Sequence, residues 1–215
     1  MNDNIVRFNP LAKKNLGASV AEALLSRKAY PLGSIPDFAG AGIYAVYYTG
    51  PFQAYSALSE KNAGGKLVVP IYVGKAVPAG ARKGGNKGTA SGKPLFARLK
   101  EHSESIIAAT NLDIADFHCR FLVVDDIWIP LGESLLIAHF SPIWNNLIDG
   151  FGNHDPGGGR YKGMRPRWDI LHPGRAWAAK CALRPETAEQ IAREVEMYLH
   201  STSIPESQDI IESEE

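Results

Sequence analysis

Gly42-Ile43-Tyr44 and Tyr72-Val73-Gly74 each place a tyrosine inside a short apolar run, and Lys75 follows the second run directly. Arg98 and His102 stand four residues apart, and Glu133 and Asn145 come later in the chain. Together these residue types suit hydrolysis of a phosphodiester. That reaction needs an activated water, charge stabilisation at the phosphoryl oxygens and help for the leaving 3′-oxygen. A free phenol ionises near pH ~10 and is a poor base at neutrality. Cations lower that value, and Lys75, Arg98 and His102 are the cations at hand. The planar fork of Arg98 suits a non-bridging phosphate oxygen better than an ammonium does. The Glu133 carboxylate is a hard oxygen donor for a divalent cation such as Mg2+. Each residue taken alone also has a plainer use. Mid-strand tyrosines pack, Arg98 can pair with Glu101, and His102 can sit satisfied at a helix border. Glu133 can favour a helix N-terminus, and Asn145 can close a turn.

The elements that must position these groups follow from hydrophobic period and punctuation. Ser19-Val-Ala-Glu22 fits a capping box and predicts a helix over 19–28. The β-branched and aromatic run 41–48 predicts a strand, and 67–75 a second, with Pro70 marking an edge position or a late entry. Between them, 49–66 reads as an inserted loop with a helical turn near 55–61. The Gly-rich basic stretch 77–94 has too few large apolar residues to pack and reads as a loop ending at Pro94, a natural first helical residue. Leu95, Phe96, Leu99, Ile106 and Ile107 mark the apolar face of that helix, and Arg98 and His102 fall together on its border. A third strand is expected over 117–124 and a helix from about Leu131, opened by Glu133. Residues 150–163 are Gly-rich. A last amphipathic helix starts at Pro185 with Ile191, Val195 and Leu199 as its stripe, followed by an acidic tail over 201–215.

The net charge is zero, but its distribution is not uniform. Residues 61–100 hold nine Lys or Arg and no acid, and 160–184 hold seven basic residues against Asp169 alone. Residues 185–215 return the balance with nine acids against Arg193. A polyanion responds to the face it meets, so the two basic segments admit a nucleic-acid partner. No apolar run approaches the ~18 residues that would cross a bilayer, and MNDNIVRFNP lacks a signal-peptide core, so the expected compartment is the cytoplasm. Cys119 and Cys181 form no C-x-x-C pair and are expected to be reduced. Other motifs fail. Lys87 and Pro94 occupy positions where a phosphate-binding loop needs Gly and Ser or Thr, the histidines lack zinc spacing, and His154-Asp155 reads as a turn before Pro156.

In chain order, G-I-Y, Y-V-G, a helical Arg and His, a Glu and an Asn resemble the signature of the GIY-YIG nuclease superfamily over about residues 40–146. The runs GAGIYAVYYTG, PIYVGKAVPAG and PIWNNLIDGFGNHDPGGGR further resemble the branch of type II restriction endonucleases that cut CCGCGG, extending the likeness to about Trp177. Between Tyr44 and Tyr72 lie 27 residues, an insertion shared by that branch.

The resemblance implies an α/β (α+β) fold, a small, mainly antiparallel three-stranded sheet flanked by helices. Its catalytic core spans 40–149, with an N-terminal extension over 1–39, a basic DNA-recognition extension over 150–200 and the tail over 201–215. It also implies a Mg2+-dependent homodimeric enzyme acting on double-stranded DNA, with Mn2+ as an alternative ion. Tyr44 would activate water with His102 or Lys75 favouring its ionised form. Tyr72 would position water or phosphate, Arg98 would hold a phosphate oxygen, Glu133 would hold the ion, and Asn145 would brace the site. Lys83, Lys87 and Lys162, with Arg82 beside them, would contact phosphates. Arg160, Arg165 and Arg167 would reach guanine edges, or would instead pair with carboxylates and helix ends. A repair or mobile-element nuclease and a catalytically silent DNA-binding module are the other readings.

Overall fold

Seven consecutive residues, Gly42–Tyr48, are all buried, because this strand (β2) lies in the middle of a sheet with both faces covered. The computed structural model describes residues 11–78 and 92–201. Its strands are β1 (Tyr30–Pro31), β2, β3 (Tyr72–Ala76) and β4 (Phe117–Val123), in the order β1-β4-β2-β3. All three pairings are antiparallel, with Tyr44 opposite Gly74 on one side and Phe121 on the other. The helices are α1 (Lys13–Leu25), α2 (Ser56–Asn62), α3 (Pro94–Ala108), α4 (Ile129–Phe140), α5 (Ile143–Asn146), α6 (Arg167–Leu171) and α7 (Ala188–Ser201).

Side-chain alternation along β2 sorts the core into two halves. Tyr44, Val46 and Tyr48 join the half built with α2, α3, α5, α6 and α7. Ile43, Ala45 and Tyr47 join the half built with α1 and α4. The larger half takes in Phe151, Trp168, Leu171, Ile191, Val195 and Leu199, so residues 150–199 share the core of the strands. Full burial of Ile191 and Val195 contributes roughly 1.5–3 kcal/mol each toward docking α7.

Several sequence expectations need correction. The sheet has four strands, because Tyr30 and Pro31 pair with Cys119 and His118. The first helix begins at Lys13, so Ser19 and Glu22 lie inside it and the N-cap is Ala12 with no side-chain cap. The second strand starts at Tyr72. Pro70 both delays it and accompanies its edge position, and Leu67 adopts a positive φ of 47° just before. Ile107 is 62% exposed and falls off the α3 stripe, which is Leu95, Leu99 and Ile106. The helix carrying Glu133 begins at Ile129, and the last helix begins at Ala188 rather than Pro185. Arg82, Lys83 and Lys87 lie outside the described residues, as do most of the basic loop and all of the tail beyond Ser201.

The outer edge of β3 is not bare. Asn145 Nδ2 donates to the Val73 carbonyl and its Oδ1 accepts from Val73 N–H, both at 2.8 Å, while Trp144 N–H donates to the Ile71 carbonyl at 3.0 Å. A side-chain amide thus pairs with β3 as a neighbouring strand would.

Candidate active site

Two glycines shape the floor of the site. A Cβ at Gly42 would lie 1.9 Å from the Leu122 carbonyl oxygen, so only glycine lets β4 approach there. A Cβ at Gly74 would lie 2.4 Å from the Tyr44 hydroxyl and 3.0 Å from Tyr72 Cε1. The Tyr44 ring therefore rests on β3 in space that only a missing side chain provides. Tyr72, two residues earlier on the same face, brings its ring centroid to 6.2 Å from that of Tyr44.

From α3, His102 meets both rings, with centroids 5.4 Å from Tyr44 and 5.3 Å from Tyr72. The Tyr44 hydroxyl and His102 Nε2 are 2.5 Å apart and buried. Phe151 lies against the opposite side of the imidazole, 4.5 Å away and tilted by only 16°. Arg98, one turn before His102, is held from outside by the Gly152 carbonyl, which accepts from Nη2 at 2.7 Å. Its Nη1 donates to Glu101 at 2.9 Å and also meets His154 Nε2. The pairing with Glu101 and the placement beside the tyrosines are therefore both present.

Lys75 and Glu133 arrive from the other face of the sheet. Lys75 alternates away from Tyr72 and Gly74, and Glu133, one turn into α4, meets it with Nζ–Oε2 at 2.5 Å. This pair sits at the rim, its side chains 38% and 19% exposed. The charge of Glu133 nonetheless reaches both phenols. The Asn145 side chain hydrogen-bonds only to Val73 among the described residues.

Burial pushes the Tyr44 phenol well above its usual value, Tyr72 and Glu133 push it further, and the Arg98 charge opposes them. Burial likewise raises Tyr72. His102 is driven well below its ordinary value, by burial first and then by the charges of Arg98, His154 and Arg175. Burial and the surrounding cations thus favour the neutral imidazole of His102, and Lys75 pairs with Glu133. The arrangement suits a proton relay between two neutral groups better than a standing phenolate.

The basic segment 160–184 divides. Arg160 and Lys162 are exposed and make no ion pair or hydrogen bond through their side chains among the described residues. Arg160 lines a cleft of about 420 Å³ with Gly152, His154, Met164 and Trp177, directly beside Arg98. Arg165 instead donates to the carbonyls of Ala178 and Ala179. Arg167 is 13% exposed and is taken up by Glu186, Glu194 and the Leu147 carbonyl. Both guanidiniums thus have partners within the DNA-free protein, the carboxylate and carbonyl pairing that the sequence left open beside base reading. The sequence reading also missed His154 and the Arg175–Asp169 pair. His154-Asp155 does form a turn, Asp155 accepting from Gly157 N–H at 2.8 Å, yet the neighbouring imidazole lands on Arg98.

The model of the family described as the Eco29kI GIY-YIG domain matches residues 36–199. No curated protein matches the chain.

Proposed function

Because the chain belongs to the Eco29kI GIY-YIG family of restriction endonucleases, we propose that it cuts double-stranded DNA at a specific GC-only palindrome, CCGCGG, by metal-assisted hydrolysis. The observation that carries the reading is the 2.5 Å contact between the Tyr44 hydroxyl and His102 Nε2, with Arg98 one helical turn away. Water gives a proton to the Tyr44 oxygen as the phenol passes its own proton to His102 Nε2, so no free phenolate is needed. The hydroxide forms a bond to phosphorus, the bond from phosphorus to the 3′-oxygen breaks, that oxygen takes a proton from solvent water, and His102 returns its extra proton to the resulting hydroxide. Arg98 holds a non-bridging oxygen and Tyr72 orients water or phosphate by hydrogen bonding. The bound phosphate neutralises Arg98, and so relieves that part of the depression of His102 which the guanidinium causes.

Glu133 is the residue that would hold a divalent cation, Mg2+ or Mn2+. The Lys75 ammonium, 2.5 Å from its carboxylate, supports the reading by placing a positive charge at this carboxylate. Among the described residues no three His, Cys, Asp or Glu cluster, so phosphate and water would complete the coordination. Such an ion, when bound, neutralises charge growing on the leaving oxygen. Arg160 and Lys162, exposed beside the cleft, contact the duplex, and two copies of the chain address the two strands of a palindrome.

The test is cleavage of a sequenced plasmid with Mg2+ by the wild type, Tyr44→Phe and Glu133→Ala, with the fragments mapped. Cutting at CCGCGG by the wild type alone is expected. A wild type that binds DNA but never cuts would make the protein a silent binding module, and undiminished cutting by Tyr44→Phe would remove the relay. Sedimentation with and without cognate DNA reads the dimer.

A further inference from the structure

Residues 150–153 touch the reacting groups twice, through Phe151 on His102 and through the Gly152 carbonyl on Arg98. They belong to no helix or strand, so something else must hold them. Gly150 has φ of +104°, and a Cβ there would meet Pro166 at 2.1 Å, so the turn has little tolerance. Its carbonyls converge on one side chain. Arg175 donates through Nη2 to Gly150 at 2.8 Å and through Nη1 to Phe151 and Asn153, both at 3.1 Å. Its other donors grip Asp169 in a bidentate pair, Nε to Oδ1 at 2.7 Å and Nη2 to Oδ2 at 2.6 Å. The guanidinium is flanked by Trp168 and Trp177, 4.5 and 4.7 Å from its centre, and both Arg175 and Asp169 are buried.

A buried ion pair of this kind is costly to desolvate, and a planar five-donor group is the side chain that can satisfy three carbonyls and a carboxylate together. We propose that Arg175, fixed by Asp169, is a positioning residue for DNA cleavage: it clamps 150–153 so that Phe151 seals His102 and Gly152 aims Arg98. The inference rests on the reading of Tyr44, Arg98 and His102 as the reacting groups. Arg175 touches none of their reacting atoms. It acts through the loop.

Arg175→Lys keeps the charge but cannot span all these acceptors, and Asp169→Asn loosens the clamp without deleting it. For both, the single-turnover rate at saturating DNA falls about 100-fold, the scale expected of a displacement near 1 Å, while DNA affinity changes less than about threefold. A second readout needs no DNA. His102 faces Tyr44 and Tyr72 from the sheet, Arg98 on its own helix, and His154 and Arg175 from the loop side. Water admitted past a loosened Phe151 moves its titration, followed by NMR in the free protein, up toward the ordinary value. Phe151→Leu combined with Arg175→Lys is no slower than the slower single variant.

Wild-type rates and an unmoved His102 titration in a folded variant would overturn the proposal. So would a rate loss matched by an equal loss of affinity, or multiplicative effects in the double variant. If Arg175→Lys fails to fold, Asp169→Asn decides. A wild type that does not cut DNA would defeat the functional reading, and the His102 titration would still judge the clamp.

Discussion

Replacing Gly74 with alanine isolates the placement of Tyr44 from its chemistry. Gly74 is not among the glycines with positive φ, so alanine is compatible with the backbone and the effect is steric alone. The new Cβ would lie 2.4 Å from the Tyr44 hydroxyl, 2.6 Å from Cζ and 3.0 Å from Tyr72 Cε1, where ordinary contact begins at 3.4 Å. The phenol tip must therefore retreat by about 1 Å, in a site where both it and His102 are buried. A shift of that size takes the 2.5 Å contact with His102 to the limit of hydrogen bonding. Overpacking of this kind costs about 1–3 kcal/mol, read as a lower urea midpoint at neutral pH. Misplacing the relay costs about 100-fold in single-turnover cleavage, measured well below the unfolding transition. Gly159→Ala is the control, since its added Cβ meets nothing within 4 Å. A Gly74→Ala protein that is less stable but cuts at the wild-type rate would show that the contact does not set the reaction.

Other substitutions separate structure from recognition. Arg167→Ala should lose about 1–3 kcal/mol of stability, because it strands Glu186, Glu194 and the Leu147 carbonyl. Its fragment pattern should match the wild type, and a change in site preference would return Arg167 to the DNA. Acid should destabilise the fold through histidine. Burial depresses His172 from 6.5 to about 3, so below pH 6.5 the unfolded chain binds a proton that the folded chain refuses. Stability is then complete above 6.5 and falls toward 3 by up to about 1.4 kcal/mol per pH unit, a slope that His172→Gln should flatten in urea titrations at stepped pH. Glu133→Gln should abolish Mg2+-dependent cutting while leaving DNA affinity within about threefold, since it removes one rim carboxylate. Residual cutting at the wild-type rate would place the ion elsewhere.

The two tyrosines, the glycine and the Arg-His pair were legible because each depends on a period. Strand alternation puts Tyr44 and Tyr72 on one face, and four residues of helix put Arg98 beside His102. The stripe of α7 was legible for the same reason. What a period does not carry was missed. Arg175 and Asp169 are six residues apart on no common helix face, and their meaning lies in three carbonyls that sequence cannot point toward one another. His154 reads as a turn residue, yet it stands just before the turn that Asp155 opens and meets Arg98. The burial that lowers His102 includes its stack on Phe151, a contact between distant segments. Charge counting also did not reveal the partners of Arg167. The acidic residues after 185 look like a separate counterweight, but Glu186 and Glu194 fold back onto Arg167, and Glu186 also meets Arg184. Composition gives charges without partners.

The amide of Asn145 has a consequence for how copies of this chain can meet. Exposed sheet margins invite hydrogen-bonded extension by another chain, a common path to aggregation and to continuous intermolecular sheets. Here the outward N–H and carbonyl of Val73 and the carbonyl of Ile71 are already spoken for from within the molecule. A neighbour approaching this margin meets the Asn145 amide at Val73 before it can pair there, beside the rim where Lys75 meets Glu133.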